Sequence, residues 1–145
     1  MPEKHASVHW EGPGKSGQGH ISTETDALKA YPYGFTSRFE DDRKGTNPEE
    51  LVGAAHAACF TMAFAFALEG AGLAATSIDT RAAVRLVKDG AGFKIDRIAL
   101  ELDASVPGLD ETKFQQIAAD AKAGCPLSKA LTGVSEVTLK ATLKN

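Results

Sequence analysis

Cysteine is scarce in this chain of 145 residues: there are two, along with a single tryptophan. Two cysteines cannot staple a disulfide-rich secreted scaffold. Basic side chains are also in short supply, with 16 Lys and Arg against 19 Asp and Glu, for a net charge of −3. The sequence therefore lacks the basic stripe that follows nucleic-acid phosphates or an anionic membrane surface, and neither partner is expected. The opening Met-Pro-Glu-Lys-His has no basic region leading into an apolar stretch, so a cytoplasmic, reducing compartment is expected. No repeat, linker or low-complexity tract breaks the chain, which is expected to be one domain over residues 1–145.

What is present is ordinary for a soluble globular protein, at 43% apolar and 24% charged residues. Ala6, Val8 and Trp10 alternate with polar neighbours as a strand, Gly19 to Glu24 reads as a second, and Tyr33 to Glu40 as a third. On that third strand Arg38 faces away from Tyr33, Phe35 and Phe39. Thr46-Asn47-Pro48-Glu49-Glu50 then marks a helix start, with Asn47 as cap and Glu50 at the capping-box position. The helix is expected to run to about Glu69.

Two long strands follow, turned by Asp89-Gly90. Ile78, Thr80, Ala82, Val84 and Leu86 share a face on the first. On the second, Phe93 and Ile95 are out of phase with Ile98, Leu100 and Leu102, which predicts a β-bulge at Asp96-Arg97. Asp110 caps another helix with the stripe Phe114, Ile117, Ala118 and Ala121. Cys125-Pro126 opens a short helical piece, and Val137 to Leu143 forms a last strand. The fold class is α+β.

The run Leu51 to Leu68 has no charged side chain over 18 residues, the lower length limit of a membrane span. It is Ala-rich, carries His56, Cys59 and Thr61, and is flanked by Glu50 and Glu69 rather than Lys or Arg. A fully buried soluble helix is the expected reading. A helix that is apolar all round must be covered all round, and the remaining elements cannot easily wrap it. A second copy can, so an obligate homodimer is predicted.

Spacing alone leaves the two cysteines open. Two inert buried thiols are the plainest reading. A redox pair is the next, and metal ligation is poorly supported without a C-x-x-C or further ligands. Cys125, near the start of a helical turn, would feel a positive dipole end that favours thiolate. Cys59 and His56 share a helical face, so a cysteine hydrolase is conceivable, though no third residue orients the histidine. A lone histidine on an apolar helix is more often a satisfied core residue.

Three segments carry a resemblance. Thr46 to Phe60, which reads Thr-Asn-Pro-Glu-Glu-Leu-Val-Gly-Ala-Ala-His-Ala-Ala-Cys-Phe, resembles the peroxidatic-cysteine segment of the OsmC/Ohr family of thiol-dependent peroxidases. Ala123-Gly124-Cys125-Pro126-Leu127-Ser128 is similar to its second-cysteine segment. Tyr33-Gly34-Phe35-Thr36-Ser37-Arg38-Phe39-Glu40 resembles its arginine-bearing segment. The likeness spans the chain in order. It implies an intertwined homodimer with antiparallel sheets wrapped around two central helices per chain. It also implies a peroxidase that acts on organic hydroperoxides better than on hydrogen peroxide and protects against oxidative or osmotic stress. Carried over residue by residue, Cys59 is peroxidatic, Cys125 resolving, Arg38 the thiolate activator and Glu49 its carboxylate partner. An external dithiol, lipoyl in type by family expectation, would be the reductant, and no metal or organic cofactor is implied.

The chemistry explains the residue types. Peroxide is attacked by thiolate, giving sulfenic acid and alcohol. Desolvation in an apolar helix opposes ionisation of Cys59, and an arginine, charged even when buried, can reverse that. Arg38 could also donate to the departing alkoxide. Glu49 and Cys59 lie ten residues apart on one helix, about 15 Å at 1.5 Å per residue. If both serve one site, Cys59 is expected from one chain and Glu49 from its partner. Phe60 and Phe39 are candidates to favour a bulky apolar peroxide. A cysteine hydrolase and a non-catalytic dimeric binding module are the competing classes.

Overall fold

A computed structural model describes all residues, Met1–Asn145, and the chain divides into two compact units, Met1–Leu51 and Val52–Asn145.

In the first unit, β1 (Ala6–Glu11), β2 (Gln18–Thr23) and β3 (Tyr31–Tyr33) form an antiparallel sheet in that order. Trp10 and Tyr33 meet edge-on above Gly19, with ring centroids 5.5 Å apart, and a Cβ at Gly19 would fall on both rings. That close approach is what a glycine permits. The expected third strand stops early. Only Tyr31–Tyr33 is extended, and Phe35–Phe39 forms a short helix, α1. Ser37 closes its first turn: its Oγ accepts from the Gly34 N–H at 2.9 Å. The aromatic alternation of Tyr33, Phe35 and Phe39 suggested a strand, but this local bond offers the backbone a helical turn instead.

Helix α2 (Pro48–Gly70) begins as expected. Asn47 Oδ1 accepts from the Glu50 N–H at 2.7 Å, satisfying an orphan donor of the first turn. Glu50 does not reach back to the backbone as in a capping box; its carboxylate accepts from the Thr46 hydroxyl at 2.6 Å.

In the second unit, β4 (Ser77–Asp89) and β5 (Gly92–Ser105) make an antiparallel hairpin whose turn contains Gly90 at φ +59°. Arg85 faces Arg97 and Leu86 faces Ile95, leaving Asp96 as the extra residue of a bulge where the phase slip placed it. The bulge aims the Asp96 carboxylate at Arg85, with both bonds at 2.9 Å. Strand β6 (Glu136–Leu143) adds beside β5 in parallel, so the expected antiparallel sheet departs at this pair. The route between β5 and β6 explains it, because α3 (Glu111–Gly124) and α4 (Pro126–Ala130) form a helical crossover that reverses the chain.

The core of this unit joins Phe60, Phe64 and Leu68 of α2 to Ile98, Leu100, Leu102 and Ala104 of β5 and to Phe114, Ala118 and Ala121 of α3. Phe64 and Phe114 meet at right angles, centroids 5.8 Å apart. Helix α2 is long and apolar enough to cross a membrane, but one face of it is core. It is not buried all round. Gly53, His56, Phe60, Phe64 and Leu68 are buried, whereas Ala54, Ala55, Ala58, Met62 and Phe66 are exposed, with Met62 at 61% and Phe66 at 64%.

Candidate active site

Two helices bring the cysteines together. Cys59 sits in the middle of α2, and Cys125 caps α4 immediately after α3 ends. The caps are backbone-determined. The Cys125 N–H still bonds Ala121 O at 3.0 Å, closing α3, while Pro126 occupies the first position of α4, where a missing N–H costs nothing. The two Sγ atoms are 3.0 Å apart and both thiols are free. A thiol hydrogen bond spans that distance. A disulfide needs roughly 2.05 Å, so closure asks for about 1 Å of movement.

The pair is electrostatically unequal. Burial pushes the Cys59 thiol up, and its hydrogen bond with Cys125 pushes the same way. Burial also works against ionisation of Cys125, but it is outweighed by hydrogen bonds from the Cys59 thiol, the Ser128 backbone N–H and hydroxyl, and the Leu127 N–H, so this thiol lies below its ordinary value. In the reduced pair Cys125 holds negative charge more readily. No cation acts on Cys59 within its unit.

His56 lies one turn before Cys59 and is fully buried. Its Nε2 is 2.8 Å from Ser128 Oγ, and its Nδ1 is buried without a hydrogen-bond partner. Burial lowers its pKa, which keeps the ring neutral. Ser128 orients the histidine and so takes the place of the third residue that sequence could not supply. The two are 72 residues apart, and no local pattern ties them together.

Arg38 and Glu49 belong to the first unit. Arg38 is on α1, not on a strand as the alternation suggested, and it meets Glu49 in the first turn of α2. Nη2 donates to Oε1 at 2.8 Å, and Nε lies 3.3 Å from both carboxylate oxygens. Asn47 Nδ2 donates to Ser37 O at 3.0 Å, pinning α1 against the helix start that carries Glu49. Glu49 is buried, while 36% of the Arg38 side chain remains exposed in the single chain. The guanidinium also lies 5.3 Å from the Phe39 ring, which in turn packs on Phe35. Phe60, a candidate to line the substrate site, has no exposed surface and is a core residue. No three His, Cys, Asp or Glu side chains converge to hold a metal.

Comparison with known proteins gives a consistent picture. Residues 40–140 match the family model described as OsmC-like protein. The chain is 53% identical to Peroxiredoxin OsmC of Escherichia coli (strain K12) over 142 residues, 98% of this chain and 97% of that one. It is 32% identical to the organic hydroperoxide resistance protein OhrB of Bacillus subtilis (strain 168) over 124 residues, 84% of this chain and 88% of that one. The crystal structure of OhrB of Bacillus subtilis superposes with a TM-score of 0.68 at 30% identity, covering 97% of this chain and 98% of that one. An OsmC-like protein from Mycoplasma pneumoniae shares the fold, with a TM-score of 0.78 at 14% identity and 99% of each chain covered.

Proposed function

The chain belongs to the OsmC-like family and is a peroxidase; on that footing we propose that it reduces organic hydroperoxides in preference to hydrogen peroxide, with Cys59 as nucleophile and Cys125 as resolving thiol. The observation that carries this reading is the pair of free sulfurs 3.0 Å apart at the junction of α2, α3 and α4. A binding module has no need of two opposed thiols, and a cysteine hydrolase would leave Cys125 idle. The apolar surroundings of Cys59 and the names of the relatives support an organic substrate.

In this mechanism the Cys59 thiolate attacks the terminal peroxide oxygen. The O–O bond breaks, alkoxide leaves and is protonated to the alcohol, and Cys59 becomes a sulfenic acid. Burial resists the required ionisation. Arg38, held by Glu49 of its own chain, is the cation that overcomes it and steadies the charge developing on the alkoxide. The ten-residue helical gap between Glu49 and Cys59 favours a site in which Arg38 and Glu49 of one protomer serve Cys59 of the partner subunit. Such a homodimer also covers the apolar face Ala54, Ala55, Ala58, Met62 and Phe66, which a single chain leaves in water. Cys125 then closes the disulfide, and an external dithiol reopens it by exchange in the cytoplasm.

Steady-state turnover tests the reading. With a dithiol and cumene hydroperoxide the protein is expected to produce cumyl alcohol faster than it consumes hydrogen peroxide, and Cys59→Ser is expected to abolish both. Turnover that survives in Cys59→Ser would refute the assignment.

A further inference from the structure

Cys125 stands in a row of polar groups whose histidine and serine the peroxidase chemistry above does not use. The row runs from His56 Nε2 to Ser128 Oγ at 2.8 Å, then within the first turn of α4 from Ser128 to its N-cap Cys125, whose thiol the Ser128 hydroxyl pulls down, and from Cys125 Sγ 3.0 Å to Cys59 Sγ. His56 is wholly inside the protein. A fully buried histidine normally uses both ring nitrogens, and here Nδ1 has no partner. A buried bare acceptor is tolerated better than a buried orphan N–H. The proton therefore sits on Nε2, where it is donated to Ser128 Oγ. With its oxygen accepting from His56, the Ser128 hydroxyl keeps its own hydrogen to donate, and it acts on the Cys125 sulfur in the same turn.

The row thus points one way. We propose that His56, acting through Ser128, is a positioning residue that holds Cys125 ready as a thiolate for attack on the sulfenic acid of Cys59. The inference rests on the two-cysteine reading above and specifies what drives its second step. In that step the Cys125 thiolate attacks Cys59 Sγ, and the S–S bond forms as the S–O bond breaks. Hydroxide leaves with the electron pair and is neutralised by the solvent proton that Cys125 released on ionising. The groups acting on Cys125 are the Cys59 thiol from α2 and, from α4, the Ser128 hydroxyl with the backbone N–H groups of Leu127 and Ser128. None of them is charged, so a hydroxyl aimed by a neutral imidazole carries weight that a nearby lysine would otherwise remove.

Two measurements test this on the full-length protein. In the first, reduced protein meets one equivalent of cumene hydroperoxide, and sulfenic acid formation and disulfide closure are timed separately by quenching with dimedone and by intact mass. Ser128→Ala, which removes one partly buried hydroxyl, is expected to leave the first step unchanged and to slow closure at neutral pH. The loss expected from one hydrogen bond to a charged sulfur is about tenfold or more. Raising the pH should recover the rate, because closure then follows a higher apparent pKa. His56→Phe should behave like Ser128→Ala, whereas His56→Gln, which can keep a donor near the Nε2 position, should restore the parent profile.

The second measurement uses the Cys59→Ser background, in which Cys125 is the only thiol and is titrated by its ultraviolet thiolate absorbance. Ser128→Ala is expected to shift that titration upward. An unshifted titration, unchanged closure, or an equal loss in both peroxide steps would overturn the inference. A parent protein that never forms the disulfide while Ser128→Ala still shifts the Cys125 titration would overturn the two-cysteine reading instead.

Discussion

Phe66→Gln probes the exposed face of α2. In the single chain 64% of Phe66 is exposed, and Met62, one turn earlier, is at 61%. A phenylalanine presents roughly 200 Å² to solvent, so association can remove about 130 Å² at this position. At about 25 cal/mol per Å² that is ~3 kcal/mol for each copy. An interface with two-fold symmetry uses the residue twice, giving ~6 kcal/mol, or about four decades in the dimer dissociation constant. The ring packs little in its own chain, so the substitution should not loosen the core formed by Phe60, Phe64 and Leu68. Sedimentation velocity over a concentration series reads the result. The parent is expected to sediment as a dimer at every accessible concentration, and Phe66→Gln to dissociate at micromolar levels while keeping its helical circular dichroism. A variant that sediments with the parent, or a parent that is monomeric throughout, would refute the covered-face reasoning.

Other outcomes follow from the same geometry. Arg38→Ala is expected to slow sulfenic acid formation by about a hundredfold, and Arg38→Lys to recover only part of it, because a lysine cannot keep the forked contact with Glu49. Stopped-flow measurement with cumene hydroperoxide checks both. Phe114→Ala empties the centre of the second unit, where Phe114 is fully buried against Phe64, and should lower stability by about 3–5 kcal/mol in urea denaturation. His56 has a lowered folded-state pKa, so the unfolded chain binds more protons once pH drops below about 6.5. Its contribution to stability is fully present above that pH and is lost as pH falls toward the folded value. Parallel urea titrations of the parent and His56→Gln should show this extra slope in the parent alone.

The sequence was most informative where the signal is local. The Asn47 cap, the Asp110 cap and the Phe114–Ala121 stripe each follow from residues within two turns of one another, and each is in place. The phase slip at Asp96-Arg97 showed itself because one face of β5 is buried, which makes any change of register visible as a change of pattern. Tyr33 to Glu40 misled because eight residues with aromatics at alternate positions fit a strand, while the bond that bends them into α1 involves only Gly34 and Ser37. The parallel pairing of β6 and the meeting of His56 with Ser128 depend on where two helices carry the chain, and no short window of sequence holds that information. Cys59 and Cys125 are an intermediate case. Their spacing left them inert or reactive, and only the packing of α2 against α3 and α4 set their sulfurs 3.0 Å apart.

Whether these two thiols react as a pair is read by intact mass spectrometry after one equivalent of organic hydroperoxide. The protein is expected to become lighter by two hydrogens, with no oxygen added and no thiol left to alkylate, and with Cys59 and Cys125 in one linked peptide. Persistent oxygen on Cys59 with Cys125 still free, or two thiols that both survive the peroxide, would contradict that pairing.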